Sequence, residues 1–160
     1  MPRNSKLEWD FRFLEMAKLA ASWSKDKTKI GCVLTRDDNT VVSLGFNELP
    51  PGIDDEKYLV DRDFKNRIVI HAEDNALLRA PIGESTEGWT AYVYGLHPCG
   101  NCASKLIAKG IKRIVYCQTE DLTASQNWKD SLEAAKVVLD VCGAKSMSIT
   151  KDKFEEWLNG

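Results

Sequence analysis

Two cysteines and a histidine have the spacing and surroundings of metal ligands. Cys99 and Cys102 stand three residues apart in "LHPCGNCASKL", at the predicted start of a helix, where they share one face. A helix start has unpaired N–H groups and a partial positive charge, which favour the thiolate form that zinc binds. His71 opens another predicted helix, "HAEDNALL". If both helix starts point at the same place, His71, Cys99 and Cys102 form a three-ligand zinc site with a fourth position for water.

Glu73 stands two residues after His71, and positions two apart on a helix do not share a face. Its carboxylate is therefore expected beside the metal, where a proton shuttle is needed. The order H-x-E followed by P-C-x-x-C, with Pro98 before the first cysteine, is the signature of zinc-dependent nucleobase deaminases. By themselves, Cys99 and Cys102 would also suit a redox pair or two core cysteines. Their combination with His71 and Glu73 favours the zinc site.

Helices and strands alternate along the chain in a way that could bring these residues together. Apolar residues recur at helical spacing near the start, and "RDDN" separates two β-rich runs, which predicts a hairpin. Two prolines in "NELPPGIDDEK" predict an irregular loop over 47–57. The alternation that follows predicts an α/β sandwich with a mixed sheet. The predicted elements are helix 7–23, strands 30–35 and 40–46, a "RIVI" run leading into helix 71–80, strand 90–96, helix 99–109, strand 112–117, helix 125–141, a strand near 146–150 and a short helix at 153–160.

Length and composition exclude several classes of protein. A chain of 160 residues, 43% hydrophobic and 29% charged, predicts a single domain over 1–160. No apolar run approaches the roughly 18 residues of a membrane helix, and Glu8, Asp10 and Glu15 interrupt the N-terminal region where a secretory signal would be apolar. We therefore expect no membrane association and a cytoplasmic protein. The net charge of -2 predicts no stable nucleic-acid complex.

The five cysteines do not suggest a disulfide framework in such a chain. Cys32, Cys117 and Cys142 lie in β-rich or helical apolar runs, and we expect them to pack as small hydrophobic residues.

Four segments resemble the deoxycytidylate deaminase family, which has the cytidine deaminase-like fold. They are "TKIGCVL", "SLGFNELPPG", "HAEDNALLRA" and "YVYGLHPCGNCASKLIAKGIKRIVY", and the resemblance covers about 13–116. It implies a three-layer α/β/α sandwich with a central mixed five-stranded sheet and Zn²⁺ as cofactor. It also implies hydrolytic deamination of dCMP to dUMP with release of ammonia, in which a zinc-bound hydroxide attacks C4 and Glu73 shuttles the proton.

The resemblance also assigns contacts with the substrate. It implies that Asn47 hydrogen-bonds the sugar and that the backbone around Ala72 reads the pyrimidine edge. Asn47 could equally satisfy a strand end, and His97 could lean over the substrate or hydrogen-bond elsewhere. Glu120 stands where some relatives have a tyrosine at the nucleotide end, and Trp128 could cover the base or sugar. Candidate cations for a phosphate are Lys25, Lys27, Lys29, Arg62 and Arg67.

Other functions remain open at this point. Glu48, where the family usually has glycine, places a carboxylate beside the expected sugar pocket, and Glu120 is also acidic. These two residues suggest the same chemistry on dCTP, deoxycytidine, cytidine or another nucleobase. A tRNA adenosine deaminase shares the motif but is opposed by the net charge, and a non-catalytic zinc module would not need Glu73. Relatives are commonly homo-oligomers, hexamers or dimers, and dCTP and dTTP are candidate effectors.

Overall fold

The structure, a computed structural model, describes residues 5–122 and 124–160 and has a five-stranded sheet at its centre. The strand order is β2-β1-β3-β4-β5. The elements are α1 (Lys6–Ala21), β1 (Gly31–Thr35), β2 (Val41–Phe46), α2 (Asp55–Tyr58), α3 (Arg62–Ile68), α4 (Ala72–Leu78), β3 (Thr90–Gly95), α5 (Gly100–Lys109), β4 (Arg113–Gln118), α6 (Gln126–Val141), β5 (Lys145–Ser148) and α7 (Lys151–Asn159).

The sheet combines antiparallel and parallel pairs. Strand β1 is antiparallel to both β2 and β3, whereas β3 with β4 and β4 with β5 are parallel. Helices α5 and α6 make the two parallel connections, as crossovers between parallel strands must. The predicted hairpin and mixed sheet are confirmed.

Alternate residues of the central strands face opposite sides of the sheet. In β1, Val33 packs with α1 and α7, whereas Cys32 and Leu34 pack with α4 and the helices that follow it. The α1 side is aromatic, with Phe11, Phe13 and Phe154 buried. The other side uses small residues, such as Ala72 and Ala103, that let helices approach the sheet closely. Helices on both faces make the three-layer α/β/α sandwich.

Several boundaries differ from the prediction. Helix α1 ends at Ala21, and Trp23, predicted as its last residue, is 49% exposed. The segment predicted as an irregular loop ends in α2, because Asp54 caps that helix by accepting from the N–H groups of Glu56 and Lys57.

The "RIVI" run divides between a helix and an isolated bridge. Its first two residues end α3, whose start is capped by Asp61, and Ile70 forms a single antiparallel bridge with Glu48. Within the described parts of the chain, no helix is long and apolar enough to cross a membrane.

The free cysteines fall into two groups outside the site. Cys32 and Cys117 are buried in the two cores, as predicted. Cys142 is exposed, which corrects the prediction for that residue. It is the cap residue that follows the last residue of α6, and Gly143 turns the chain directly after it with a φ of 72°, so Cys142 lies past the helical part that packs on the sheet.

Candidate active site

Two helix starts converge on one point beside the sheet. His71 is the residue preceding α4, and Cys99 is the residue preceding α5. The Nδ1 atom of His71 lies 3.3 Å from the sulfur of Cys102 and 3.5 Å from that of Cys99. The three candidate ligand atoms all lie within 4.8 Å of one another. The predicted convergence of the two helix starts is therefore present in the structure.

This donor set fits zinc. With Zn–N and Zn–S bonds of about 2.0 and 2.3 Å, tetrahedral geometry separates a nitrogen from a sulfur by about 3.5 Å. The observed separations are close to that value. The hydrogen bond from the Cys102 side chain lowers the pKa of Cys99, which favours a thiolate at Cys99. His71, Cys99 and Cys102 could thus hold one zinc ion and leave a fourth position for water.

Glu73 is the buried acid of the site, with 4% of its surface exposed. Desolvation raises its pKa to about 7, although the nearby His71 opposes this effect. It lines the same cavity as His71 and Cys99 but does not belong to the ligand cluster, as its helical spacing predicted.

A cavity of about 180 Å³, here called the catalytic cavity, opens onto the cluster of candidate ligands formed by His71, Cys99 and Cys102. It contains four of the five residues predicted to contact a substrate. Its lining includes Asn47, Ala72, Glu73, His97 and Trp128, together with the two candidate ligands His71 and Cys99.

Glu120 is exposed and lies outside the described lining. The Thr119 and Glu120 N–H groups donate to the Gly95 carbonyl, at 2.9 and 3.4 Å, which holds this segment at the end of β3. The predicted contact of Glu120 with substrate therefore gains no support from the geometry.

Asn47 is buried and its amide is held at both ends. Its Oδ1 accepts from the Ile30 N–H at 2.9 Å, and its Nδ2 donates to the Thr28 carbonyl at 2.7 Å. The strand-end role considered from the sequence is thus present, and these bonds fix the edge that Asn47 presents to the cavity.

His97 and Trp128 are positioned by local contacts. His97 is buried, its Nδ1 donates to the Pro98 carbonyl at 2.7 Å, and its ring packs edge-on against Tyr116 at 4.6 Å. Desolvation lowers the pKa of His97, which favours the neutral ring. Trp128 is half-buried in the first turn of α6, where the Ser125 hydroxyl accepts from its N–H.

Sequence reasoning missed Lys65, which pairs with Asp26 at 2.9 Å. Both residues line the catalytic cavity, and both are about nine-tenths buried. The pair joins α3 to the segment before β1, 39 residues earlier, and no local sequence pattern predicts such a contact.

Of the predicted cations, Arg62 lines the cavity, and Lys25 and Lys27 line an adjoining groove. Lys29 donates to the Ser24 carbonyl, and Arg67 belongs to neither described lining.

Glu48, expected beside the sugar pocket, lines a neighbouring cavity together with Asn47 and has its charge paired. Its carboxylate does not lie in the described lining of the catalytic cavity. Instead, its Oε1 accepts from Asn75 at 2.8 Å and from Arg79 at 2.9 Å. The guanidinium of Arg79 offsets the negative charge that was expected beside the sugar.

Comparison with known proteins agrees with this geometry. The family described as the cytidine and deoxycytidylate deaminase zinc-binding region matches residues 7–118. The chain belongs to this family of cytidine and deoxycytidylate deaminases. The match confirms Zn²⁺, predicted from the sequence, as the cofactor of this class of deaminase site.

Individual relatives and a solved structure extend the likeness over most of the chain. The "uncharacterized deaminase in luxG 3'region" of Aliivibrio fischeri is 38% identical over 141 residues, 86% of this chain and 91% of that protein. A "probable deoxycytidylate deaminase" of Caenorhabditis elegans is 35% identical over 139 residues, 84% of this chain and 70% of that protein. The dCMP deaminase of cyanophage S-TIM5, in complex with dCMP and dUMP, has a TM-score of 0.69 at 22% identity and covers 91% of this chain and 100% of its own. This structural likeness confirms the cytidine deaminase-like fold.

Proposed function

We propose that this deaminase converts dCMP and water to dUMP and ammonia. The observation that carries the proposal is the convergence of His71, Cys99 and Cys102 beside the buried carboxylate of Glu73 in one cavity. Membership of the deaminase family and the name of the Caenorhabditis elegans relative support cytosine deoxynucleotide as the substrate.

The zinc cofactor and Glu73 would have separate tasks in the reaction. Zinc held by His71, Cys99 and Cys102 would supply a Lewis acid that makes water a nucleophile at neutral pH. Glu73 accepts a proton from the water as its oxygen bonds to C4 of the cytosine, and passes that proton to N3. Glu73 then takes the remaining proton from the new hydroxyl and gives it to the amino group. Ammonia leaves, and the C4 oxygen becomes the carbonyl of uracil.

Other residues of the cavity would hold the base and the sugar. We assign Asn47 to the sugar, the backbone around Ala72 to the pyrimidine edge and Trp128 to covering the base or sugar. Their positions in one lining support these roles. His97 is buried and its Nδ1 donates to the Pro98 carbonyl, so we assign it to shaping the cavity wall against the substrate.

The cations support a substrate with a phosphate. Arg62 and Lys65 line both the catalytic cavity and an adjoining groove of about 410 Å³, which also contains Lys25 and Lys27. Asp26 pairs with Lys65 and Asp55 pairs with Lys25, and the described lining of the groove stays net positive because it also holds Lys27 and Arg62. A cationic groove favours a nucleotide over a free nucleoside.

A substrate panel tests the proposal. We expect kcat/KM for dCMP to exceed the values for deoxycytidine, cytidine and dCTP, with ammonia and dUMP formed in equal amounts. A higher value for dCTP or deoxycytidine would reassign the substrate, and conversion of adenosine to inosine in added tRNA would overturn the proposal.

A variant that removes a positive charge tests whether the cavity binds the phosphate of the substrate. Arg62→Gln should lower kcat/KM for dCMP by about 10- to 100-fold, because a charge-assisted hydrogen bond is lost, and should leave deoxycytidine unaffected. Arg67→Gln is the matched control, since Arg67 lies on the same helix but outside both described linings.

We also expect a cytoplasmic homo-oligomer, and dCTP and dTTP stay predicted effectors. Light scattering with and without these nucleotides would test both the oligomeric state and the effect of the nucleotides.

A further inference from the structure

Asn47 is fixed from one side by the segment that precedes β1. Besides the two bonds of its side chain to Thr28 and Ile30, its carbonyl accepts from the hydroxyl of Ser24 at 2.7 Å. These contacts hold Asn47 but do not connect it to the helix that carries Glu73.

Helix α4 supplies that connection through Asn75. The Nδ2 group of Asn75 donates to the Phe46 carbonyl at 2.9 Å and to the Glu48 carboxylate at 2.8 Å, two acceptors on either side of Asn47. Arg79, one turn further along, donates to the same carboxylate oxygen at 2.9 Å and to Oδ1 of Asn75 at 3.3 Å. The three side chains therefore support one another.

The backbone of Glu48 reinforces the same connection. Its N–H donates to the Ile70 carbonyl at 3.1 Å, and its carbonyl accepts from the Ile70 N–H at 2.9 Å. Ile70 immediately precedes His71. Both ends of the segment that contains His71 and Glu73 are thus tied to Glu48, at Ile70 by the backbone and at Asn75 by the side chain.

We propose that Glu48 is a positioning residue of the active site, acting with Asn75 and Arg79 as a bracket that fixes Asn47 relative to His71 and Glu73. The role of the Glu48 bracket in catalysis rests on the proposed function. Catalysis is sensitive to displacements of about 1 Å, so a cavity built from two separate segments needs a connection between them. Asn75 has 4% of its surface exposed, and loss of the carboxylate would leave one of its N–H groups without this acceptor inside the protein.

Substitutions at Glu48 separate positioning from general stability. Glu48→Ala should raise KM for dCMP about tenfold and keep its bound zinc, and its unfolding midpoint should fall because one buried N–H of Asn75 loses its acceptor. Glu48→Gln keeps an oxygen acceptor for Asn75 and should restore KM to within about threefold of wild type. Glu84→Ala is the control, because it removes a carboxylate paired with Arg36 at 2.7 Å in an ion pair that lies outside the described cavity lining. A KM within twofold of wild type in Glu48→Ala, or an equal rise in Glu84→Ala, would overturn the proposal.

Amide hydrogen exchange gives a readout that does not depend on turnover. In Glu48→Ala the Ile70 N–H should exchange about tenfold faster than in wild type, while Glu84→Ala leaves its rate unchanged. If wild-type protein shows no activity on dCMP, the proposed function fails, and the exchange rate alone decides on the bracket. Unchanged exchange at Ile70 in Glu48→Ala would reject it.

Discussion

The imidazole of His71 lies 3.3 Å from the sulfur of Cys102, although 31 residues separate them in the chain. His71 immediately precedes α4, Cys102 lies in the first turn of α5, and Cys99 completes the cluster from the residue before α5. Because the two sulfurs share one short helical turn, the third ligand depends on how α4 packs against β1 and β2.

Removal of a ligand should remove the metal. His71→Ala and Cys102→Ala are each expected to lower bound zinc from about one ion per chain to near zero after dialysis, because two protein ligands do not hold the ion. Elemental analysis measures the zinc. The exposed Cys142 provides the control, and Cys142→Ser should keep its zinc. Full zinc content in His71→Ala would contradict the assignment of this ligand.

Loss of the acid should remove activity and leave the metal bound. Glu73→Gln is expected to lower kcat by about 100- to 10,000-fold, since the amide cannot accept and return a proton. Ammonia release measures the rate, and elemental analysis confirms the zinc. Asp74→Asn is the control on the same helix, where Asp74 pairs with Lys105 at 2.9 Å outside the described catalytic lining. Glu73→Gln activity within tenfold of wild type would refute the proton-shuttle role.

Strand β2 packs so closely against α4 that a side chain at position 45 should not fit. A Cβ atom there would lie 2.5 Å from the Ala76 nitrogen and 2.6 Å from the Ala72 oxygen. Gly45→Ala should therefore lower the free energy of unfolding by about 1–3 kcal/mol and weaken zinc binding. Urea denaturation and a zinc titration measure the two effects. In Gly100→Ala, the new atom would come no closer than 3.4 Å to Ala134, and stability should change little.

Leu106 should contribute strongly to stability through the core beneath α5. It is fully buried on the side of the sheet that also carries α4. Leu106→Ala should lower the free energy of unfolding by about 2–5 kcal/mol, as other buried leucines do. Leu78 is 74% exposed, so Leu78→Ala should change the free energy of unfolding by less than about 0.5 kcal/mol. If urea denaturation showed that Leu106→Ala and Leu78→Ala lower the free energy of unfolding equally, the packing of α5 would not be as described.

Much of the candidate metal site could be predicted from the sequence, because short local patterns specify where its ligands lie. Cys99 and Cys102 share a helical turn, and helix starts are signalled by short patterns such as "HPC". The resemblance to a known family implied the mixed five-stranded sheet, whereas the strand order that brings His71 beside the two sulfurs came only from the structure.

Contacts between distant segments could not be predicted in the same way. The Lys65–Asp26 pair and the Glu48–Arg79 pair join residues 39 and 31 positions apart, and nothing in either neighbourhood specifies its partner. Glu48 was expected to place a carboxylate beside the sugar pocket, and no local pattern indicated its pairing with Arg79. Short helices such as α2 were missed for another reason, since two prolines precede a capping aspartate that starts regular structure again.

The sulfur of Cys99 has two partners in the fold. It accepts the Cys102 N–H at 3.4 Å, as a serine or aspartate does at an ordinary helix start, and it is also one of the three candidate zinc ligands. Oxidation of this one atom to a sulfinic acid would remove a ligand and disturb the first turn of α5 together. Peroxide damage at Cys99 is therefore expected to appear as combined loss of metal and local unfolding, whereas the same lesion at Cys142 would leave both intact.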